Sequence, residues 1–423
     1  MLSWALVAAL QLTSVQLVVG LRNENRVGFI PLVTTINGVQ GQSLGTATTL
    51  STELSPTLAL RLLGNRSELR LSYTPQFLLT NAFGNTNALT LHNAQLSAGY
   101  RLTRFTTVYA NGNVTAGQID FYRARRLLNP EQATIFTIPE NRILSYASAQ
   151  AFVGLTQQFG RFTRVDFQGL TGHTGPAPGQ QSFQFFRKQD FVGGSAKVTR
   201  LLDVRNSIAA EAEYREIWFD GGPYYNAITP ALSYDYRSDR QVNINVRAGV
   251  QFSGTQYGSR QIPEWMVGGG LLPPRTGTEE RMMPVMSLVV GGIAWRGAGY
   301  MYSTRFSLNL LPFYDPVQGV LQQRIAFGVG NNIVLSRLYL ARIDFSVYIP
   351  GDFEFTSTNQ PYIDQDVFAI LNPVLIRTLS RTARVELGAL ITERLEDYTE
   401  VVGHWNRPEV ILYLAFHGAT PVW

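Results

Sequence analysis

Residues 241–252 read QVNINVRAGVQF. Val242, Ile244, Val246, Ala248, Val250 and Phe252 share one parity; Asn243, Asn245, Arg247, Gly249 and Gln251 share the other. Successive side chains of an extended strand point to opposite faces. This segment therefore carries one apolar face and one polar face along its whole length. The same pattern recurs on either side. Thr304, Phe306, Leu308 and Leu310 alternate with Ser303, Arg305, Ser307 and Asn309. Tyr339, Ala341, Ile343, Phe345 and Val347 alternate with Arg342, Asp344 and Ser346, and Val385, Leu387, Ala389 and Ile391 with Arg384, Glu386 and Gly388. No 3.6-residue periodicity is sustained anywhere, so the chain is read as all-β.

Alternation alone fits a soluble sheet as well as a membrane wall. Run length separates them. The runs last about 9–14 residues, whereas soluble strands average ~5–6 and a tilted strand needs about 9–11 to cross a bilayer. The apolar parity also mixes small with large residues, as in Ala147, Ala149, Ala151, Val153 and Leu155. A soluble core requires filled volume, while a lipid-facing surface requires only the absence of polarity.

The connections alternate short and long. Short ones fall at 64–66, 103–104, 160–161, 203–205, 238–240, 296–299, 336–337 and 380–381. Longer segments lie at 122–142, 172–189, 253–283, 349–366 and 396–406. The expected fold is a membrane-spanning, antiparallel, up-and-down β-barrel of about 18 strands, with 16 as the alternative. Its first strand is placed at residues 14–22, its second at 48–63 and its last at 408–417.

This organisation resembles the bacterial outer-membrane β-barrel proteins, the larger porin-like ones in particular. The segment Leu69-Arg70-Leu71-Ser72-Tyr73-Thr74-Pro75 also looks like strand sequence in uncharacterised large barrels of this kind. The resemblance implies an integral protein of the outer membrane, with periplasmic short turns and extracellular long loops. It implies contact with outer-membrane lipids and lipopolysaccharide, and assembly through a C-terminal strand with a terminal aromatic. Val410, Leu412, Leu414 and Phe416 alternate near the end, and Trp423 is the last residue, so either Phe416 or Trp423 could be that aromatic.

Composition narrows the function classes. The chain has 423 residues, no cysteine and only 15% charged residues. A disulfide framework, thiolate metal sites and a cysteine nucleophile are excluded. The basic balance (net +5) is spread over many strands, without the compact patch of a nucleic-acid binder. A mean hydropathy of −0.01 argues against a helical membrane bundle. Lys188 and Lys197 are the only lysines; every other basic residue is arginine. Residues 1–10 read as a truncated signal-peptide remnant and 11–423 as a single barrel.

Taking the polar parity as inward, the wall carries the basic residues Arg61, Arg70, Arg101, Arg164, Lys197, Arg215, Arg237, Arg247, Arg305, Arg324, Arg342 and Arg384. The acids are fewer: Glu68, Asp166, Glu211, Glu213, Asp235, Asp344 and Glu386. Pairing across neighbouring strands would neutralise most of them. The surplus arginine predicts a weak preference for anions in a passive channel for small polar solutes. A scaffold barrel that binds a partner protein, such as a lipoprotein, through its loops or rim is the alternative, and oligomerisation is left open. Arginines in the short turns could meet anionic headgroups or peptidoglycan, or simply be solvated. Constriction candidates are Arg123, Arg125, Arg126 and Glu131 in one long segment and Trp265 in another.

Catalysis is not expected. The four histidines are His92, His173, His404 and His417. No His-Glu-x-x-His motif occurs, and neither strand histidine (His92, His417) has a serine two residues later. No cofactor or metal is expected.

Overall fold

The computed structural model describes residues 12–36, 39–82, 85–120, 143–177, 188–220, 224–238, 242–257, 277–297, 300–315, 320–351, 367–395 and 409–421. They form β1 (Leu12–Ile36), β2 (Val39–Gly64), β3 (Ser67–Ala82), β4 (Asn85–Arg101), β5 (Thr106–Asp120) and β6 (Ile143–Phe159). There follow β7 (Thr163–Pro176), β8 (Gln189–Leu201), β9 (Asn206–Phe219), β10 (Tyr224–Arg237), β11 (Asn243–Tyr257) and β12 (Gly277–Gly297). The last are β13 (Tyr300–Asp315), β14 (Val320–Val334), β15 (Tyr339–Gly351), β16 (Val367–Thr378), β17 (Ala383–Leu395) and β18 (Glu409–Pro421). Every strand pairs antiparallel with the next in one 18-stranded sheet. β18 then pairs with β1 from Val18 opposite Pro421 to Phe29 opposite Val410. The sheet is a closed barrel without a free edge. Eighteen, not sixteen, is the strand number.

The first hairpin is longer than its sequence pattern. The expected strand at 14–22 is part of a strand reaching Ile36, and the second begins at Val39. Its middle reads Arg22-Asn23-Glu24-Asn25-Arg26. Both faces are polar there, so the hydropathy alternation vanishes although pairing continues from Leu12/Gly64 to Ile36/Val39. Two expected long connections shrink for a related reason. β7 runs on to Pro176, and the connection placed at 253–283 narrows to the interval between Tyr257 and Gly277.

Exposure follows parity. Leu54, Leu58, Leu71, Phe77, Val153, Phe167, Ile228, Leu232, Leu308, Leu387 and Leu414 are exposed large apolar residues on one parity of their strands. Such a contiguous apolar exterior belongs against lipid. The opposite parity of the same strands carries the charged residues and faces the lumen.

Four short turns share one construction. The side chains of Thr103, Asp203, Ser336 and Ser380 each accept a backbone N–H from further along their own turn. The preceding leucine closes the turn: Leu102 N–H donates to Thr106 O, Leu202 to Asn206 O, Leu335 to Tyr339 O and Leu379 to Ala383 O. Ser, Thr and Asp suit this place because their short oxygens reach main-chain amides two and three residues on. The 160–162 turn instead places Gly160 at φ 67°, where glycine is unstrained.

One ladder stops early. β12 and β13 pair up to Met286 opposite Leu310. The next in-face pair would set Pro284 against Pro312, and neither has an N–H to give. Gln323 of β14, almost fully buried, donates its amide to the Pro284 carbonyl at 2.6 Å.

Candidate functional site

The lumen wall is built from ion pairs two residues apart on one strand. Side chains at i and i+2 share a strand face, so an arginine and an acid so placed lie side by side. Glu68 accepts from Arg70 (2.6 Å) on β3, Asp166 from Arg164 (2.7 Å) on β7 and Glu386 from Arg384 (3.0 Å) on β17. Arg342 and Asp344 on β15 (3.1 Å) and Arg281 and Glu279 on β12 (2.5 Å) repeat the arrangement. Cross-strand pairing, the sequence expectation, adds to these: Arg61 on β2 also donates to Glu68 at 2.8 Å.

The widest network draws on three strands and spans four, β8 to β11. Glu211 on β9 accepts from Lys197 on β8 (3.3 Å) and from Arg247 on β11. Glu213 takes Arg215 at 3.3 Å and Arg247 at 3.8 Å. Arg247 reaches β9 across β10, whose inward residues there are Ala231 and Ser233, both buried. Larger side chains at these two positions would stand in the way.

A second cluster lies at the barrel closure and was hidden from the sequence reading, which ended the first strand at residue 22. Glu24 on β1 is buried and held by Arg22 and Arg26; Arg26 also reaches Glu53 on β2 at 3.5 Å, and Ser55 donates to Glu53 at 2.8 Å. In register beside Arg22 stands His417 of β18, 3.3 Å from Glu386. Recognising that a strand can continue through a stretch polar on both faces would have found this cluster.

Aromatic side chains tile part of the wall. Tyr109 on β5 lies over Gly154, directly opposite on β6; a Cβ there would come within 2.2 Å of the ring. Tyr413 on β18 lies over Gly388 of β17 in the same way and donates to Asn372 of β16 at 3.3 Å.

The remaining sequence candidates separate. Arg305 on β13 is exposed and has no ion pair or hydrogen bond among the described residues. Glycines and a serine surround it: Gly330 is opposite, Ser307 is on its own face, and its stem is 3.7 Å from where Gly291 would carry a Cβ. Arg101 sits at the short-turn end of β4, its backbone N–H on Arg66 O at 2.7 Å. Arg324 is buried at 6% exposure and therefore does not present its charge to an open lumen. Arg123, Arg125, Arg126, Glu131 and Trp265, and the terminal Trp423, lie outside the described residues, as do residues 1–10. Near the long-connection ends the inner face turns apolar and buried, with Leu78 opposite Leu89 on β3 and β4 and with Phe219, Tyr225 and Met283 packed together on β9, β10 and β12.

The chain is similar along nearly its whole length to solved porin structures. A BenF-like porin from Pseudomonas fluorescens is 9% identical, with 97% of this chain and 100% of that one covered and a TM-score of 0.46. OccAB1 of Acinetobacter baumannii is 7% identical over 98% of each chain, with a TM-score of 0.47. The outer-membrane protein OpdK of Pseudomonas aeruginosa is 10% identical, with 97% and 100% covered and a TM-score of 0.42. No family model and no curated protein sequence matches. The inner wall of this barrel therefore has to be read from its own residues.

The histidines take part in local pairs. His92 stacks on Tyr73 and shares a 2.7 Å hydrogen bond with it on the outer face. His173 meets Asp190 at 2.7 Å, and His404 lies outside the described residues. Among the described residues no group of three or more His, Cys, Asp or Glu is placed to hold a metal ion.

Proposed function

We propose that the chain is an outer-membrane channel for passive diffusion of small polar solutes, with a modest preference for anions. A barrel of about 16–18 strands is too wide for its own wall side chains to fill. The observation that carries the reading is the charge balance of the wall. Of the wall acids named from the sequence, all but Asp235 are held by arginine or lysine; Asp235 accepts from Asn245, while Arg305 stays exposed and unpaired among the described residues. Two bases share Glu68, and three surround the Glu211–Glu213 pair. A solute in this lumen meets a hydrated wall with a small positive excess.

The short turns of this proposal face the periplasm and the long connections face outward. β18, which closes the ring, is the element offered to assembly machinery. Lipopolysaccharide surrounds the apolar exterior on the outward side. Constriction is assigned to the long segments that carry Arg123, Arg125, Arg126 and Glu131, or Trp265.

Reversal potentials across a planar bilayer in a salt gradient test the reading. Purified protein is expected to give discrete conductance with mild anion selectivity, and Arg305→Glu to move that selectivity toward cations. A silent or cation-selective wild-type protein would reject it.

A further inference from the structure

The short-turn rim carries a feature that solute passage does not use. Arg66, Arg104, Arg161, Arg337 and Arg381 sit in five different short turns, all exposed. None has an ion pair among the described residues. Arg205 stands exposed in a sixth. The acid in these described turns, Asp203, spends its carboxylate on the amides of Arg205 and Asn206. Among the described turns the rim thus presents five guanidinium groups, those of Arg66, Arg104, Arg161, Arg337 and Arg381, with no acid paired to them.

Apolar residues are interleaved with them. Leu102, Phe162, Leu338 and Leu379 are about half exposed, and Val204 is fully exposed. Arg104 lies 4.5 Å over the ring of Phe105. A turn standing free in water has no use for leucine and phenylalanine at its tip. The recurrent build explains how both residue types are displayed. Its leading oxygen (Thr103, Ser336, Ser380) is turned back onto the main chain, and the next residue, Arg104, Arg337 or Arg381, is exposed.

We propose that this rim is a collar that binds anionic phospholipid headgroups in the leaflet on the short-turn side. The chemistry fits in both parts. Guanidinium forks match phosphate oxygens in pairs. Leucine and phenylalanine enter the glycerol and upper acyl region beside them. Each arginine near an anionic surface adds an attraction that salt screens. Repetition around the rim makes the contact multivalent.

The test uses full-length protein in mixed micelles with phosphatidylglycerol and phosphatidylcholine, read as bound lipid by native mass spectrometry. Wild type is expected to retain phosphatidylglycerol over phosphatidylcholine by about tenfold, falling as salt rises. The quadruple variant Arg104→Gln, Arg161→Gln, Arg337→Gln, Arg381→Gln is expected to lose that preference while keeping heat-modifiable gel mobility and wild-type conductance. Arg305→Gln, in the lumen, is expected to retain it. Equal retention of the two lipids by wild type would overturn the proposal. So would an undiminished preference in the quadruple variant, or a preference lost in Arg305→Gln instead. Wild-type binding to purified peptidoglycan that the quadruple variant loses, with its lipid preference unchanged, would assign the rim to the cell wall and overturn it too.

Discussion

Arg247 on β11 forms its ion pair with Glu211 on β9 by crossing the strand between them. The crossing is open because β10 places Ala231 and Ser233 beneath the guanidinium. The same geometry appears where Tyr413 passes over Gly388 to Asn372. Wall rigidity here comes from side chains that tie together alternate strands as well as adjacent ones.

Glu211→Gln removes the negative charge shared by Lys197 and Arg247 and turns one of its two acceptor oxygens into a donor NH2. Both partners keep some water, so the stability loss is expected at about 1–3 kcal/mol, below that of a fully dry pair. Two cations lose their neutralising partner, and anion selectivity should rise. Denaturant-induced unfolding in detergent and reversal potentials read the two effects; unchanged selectivity would show that Glu213 compensates.

Filling the glycine under a wall tyrosine should narrow the lumen. Gly154→Val puts side-chain carbon where the Tyr109 ring lies. The ring must rotate off the wall, with a stability cost of about 1–3 kcal/mol. The added double variant Gly154→Val, Tyr109→Ala removes the obstruction. Single-channel conductance is expected to fall in the first and recover in the second.

Gln323 covers a gap in the ladder that two prolines create. Gln323→Leu keeps the bulk but leaves the part-buried Pro284 carbonyl without its side-chain donor. A loss of about 1–3 kcal/mol is expected. Hydrogen exchange should quicken in β12 and β13 above Met286 and Leu310, and stay unchanged below them. Uniform exchange along both strands would contradict a local role.

The turn at Asp203 predicts a pH dependence. The Asn206 side chain, then the Arg205 and Asn206 amides, hold the Asp203 carboxyl below the ordinary range. Its folded value is thus lower than its unfolded value of ~3.9, so the turn's contribution is whole above that value. It is lost as pH falls through the lower folded value. Asp203→Asn should abolish this part of the acid dependence, measured by amide exchange at Leu202 and Asn206 between pH 2 and 5.

Strand number and phase were legible because lipid outside and water inside force the two parities apart. Four short turns also announced themselves, through Thr103-Arg104, Asp203-Val204-Arg205, Ser336-Arg337 and Ser380-Arg381, whereas the close approaches of Ile36 to Val39 and of Ala82 to Asn85 did not. The reading failed at Arg22–Arg26. There Asn23 and Asn25 take the outward parity beside Leu54 and Leu414, so the strand keeps its pairing while its own periodicity no longer reports it.

The sequence by itself determined a closed membrane wall with a charged inner face, because a two-residue period with this strand length has one stable solution in a bilayer. Tertiary structure decided which charges remain free. Arg247 and Arg305 look alike in the sequence, each an inward arginine among small neighbours. Register sets Arg247 within reach of Glu211 across a shallow strand and sets Arg305 opposite Gly330. Ion pairing depends on separations of a few ångströms between strands, and one strand's pattern does not contain its neighbour's register.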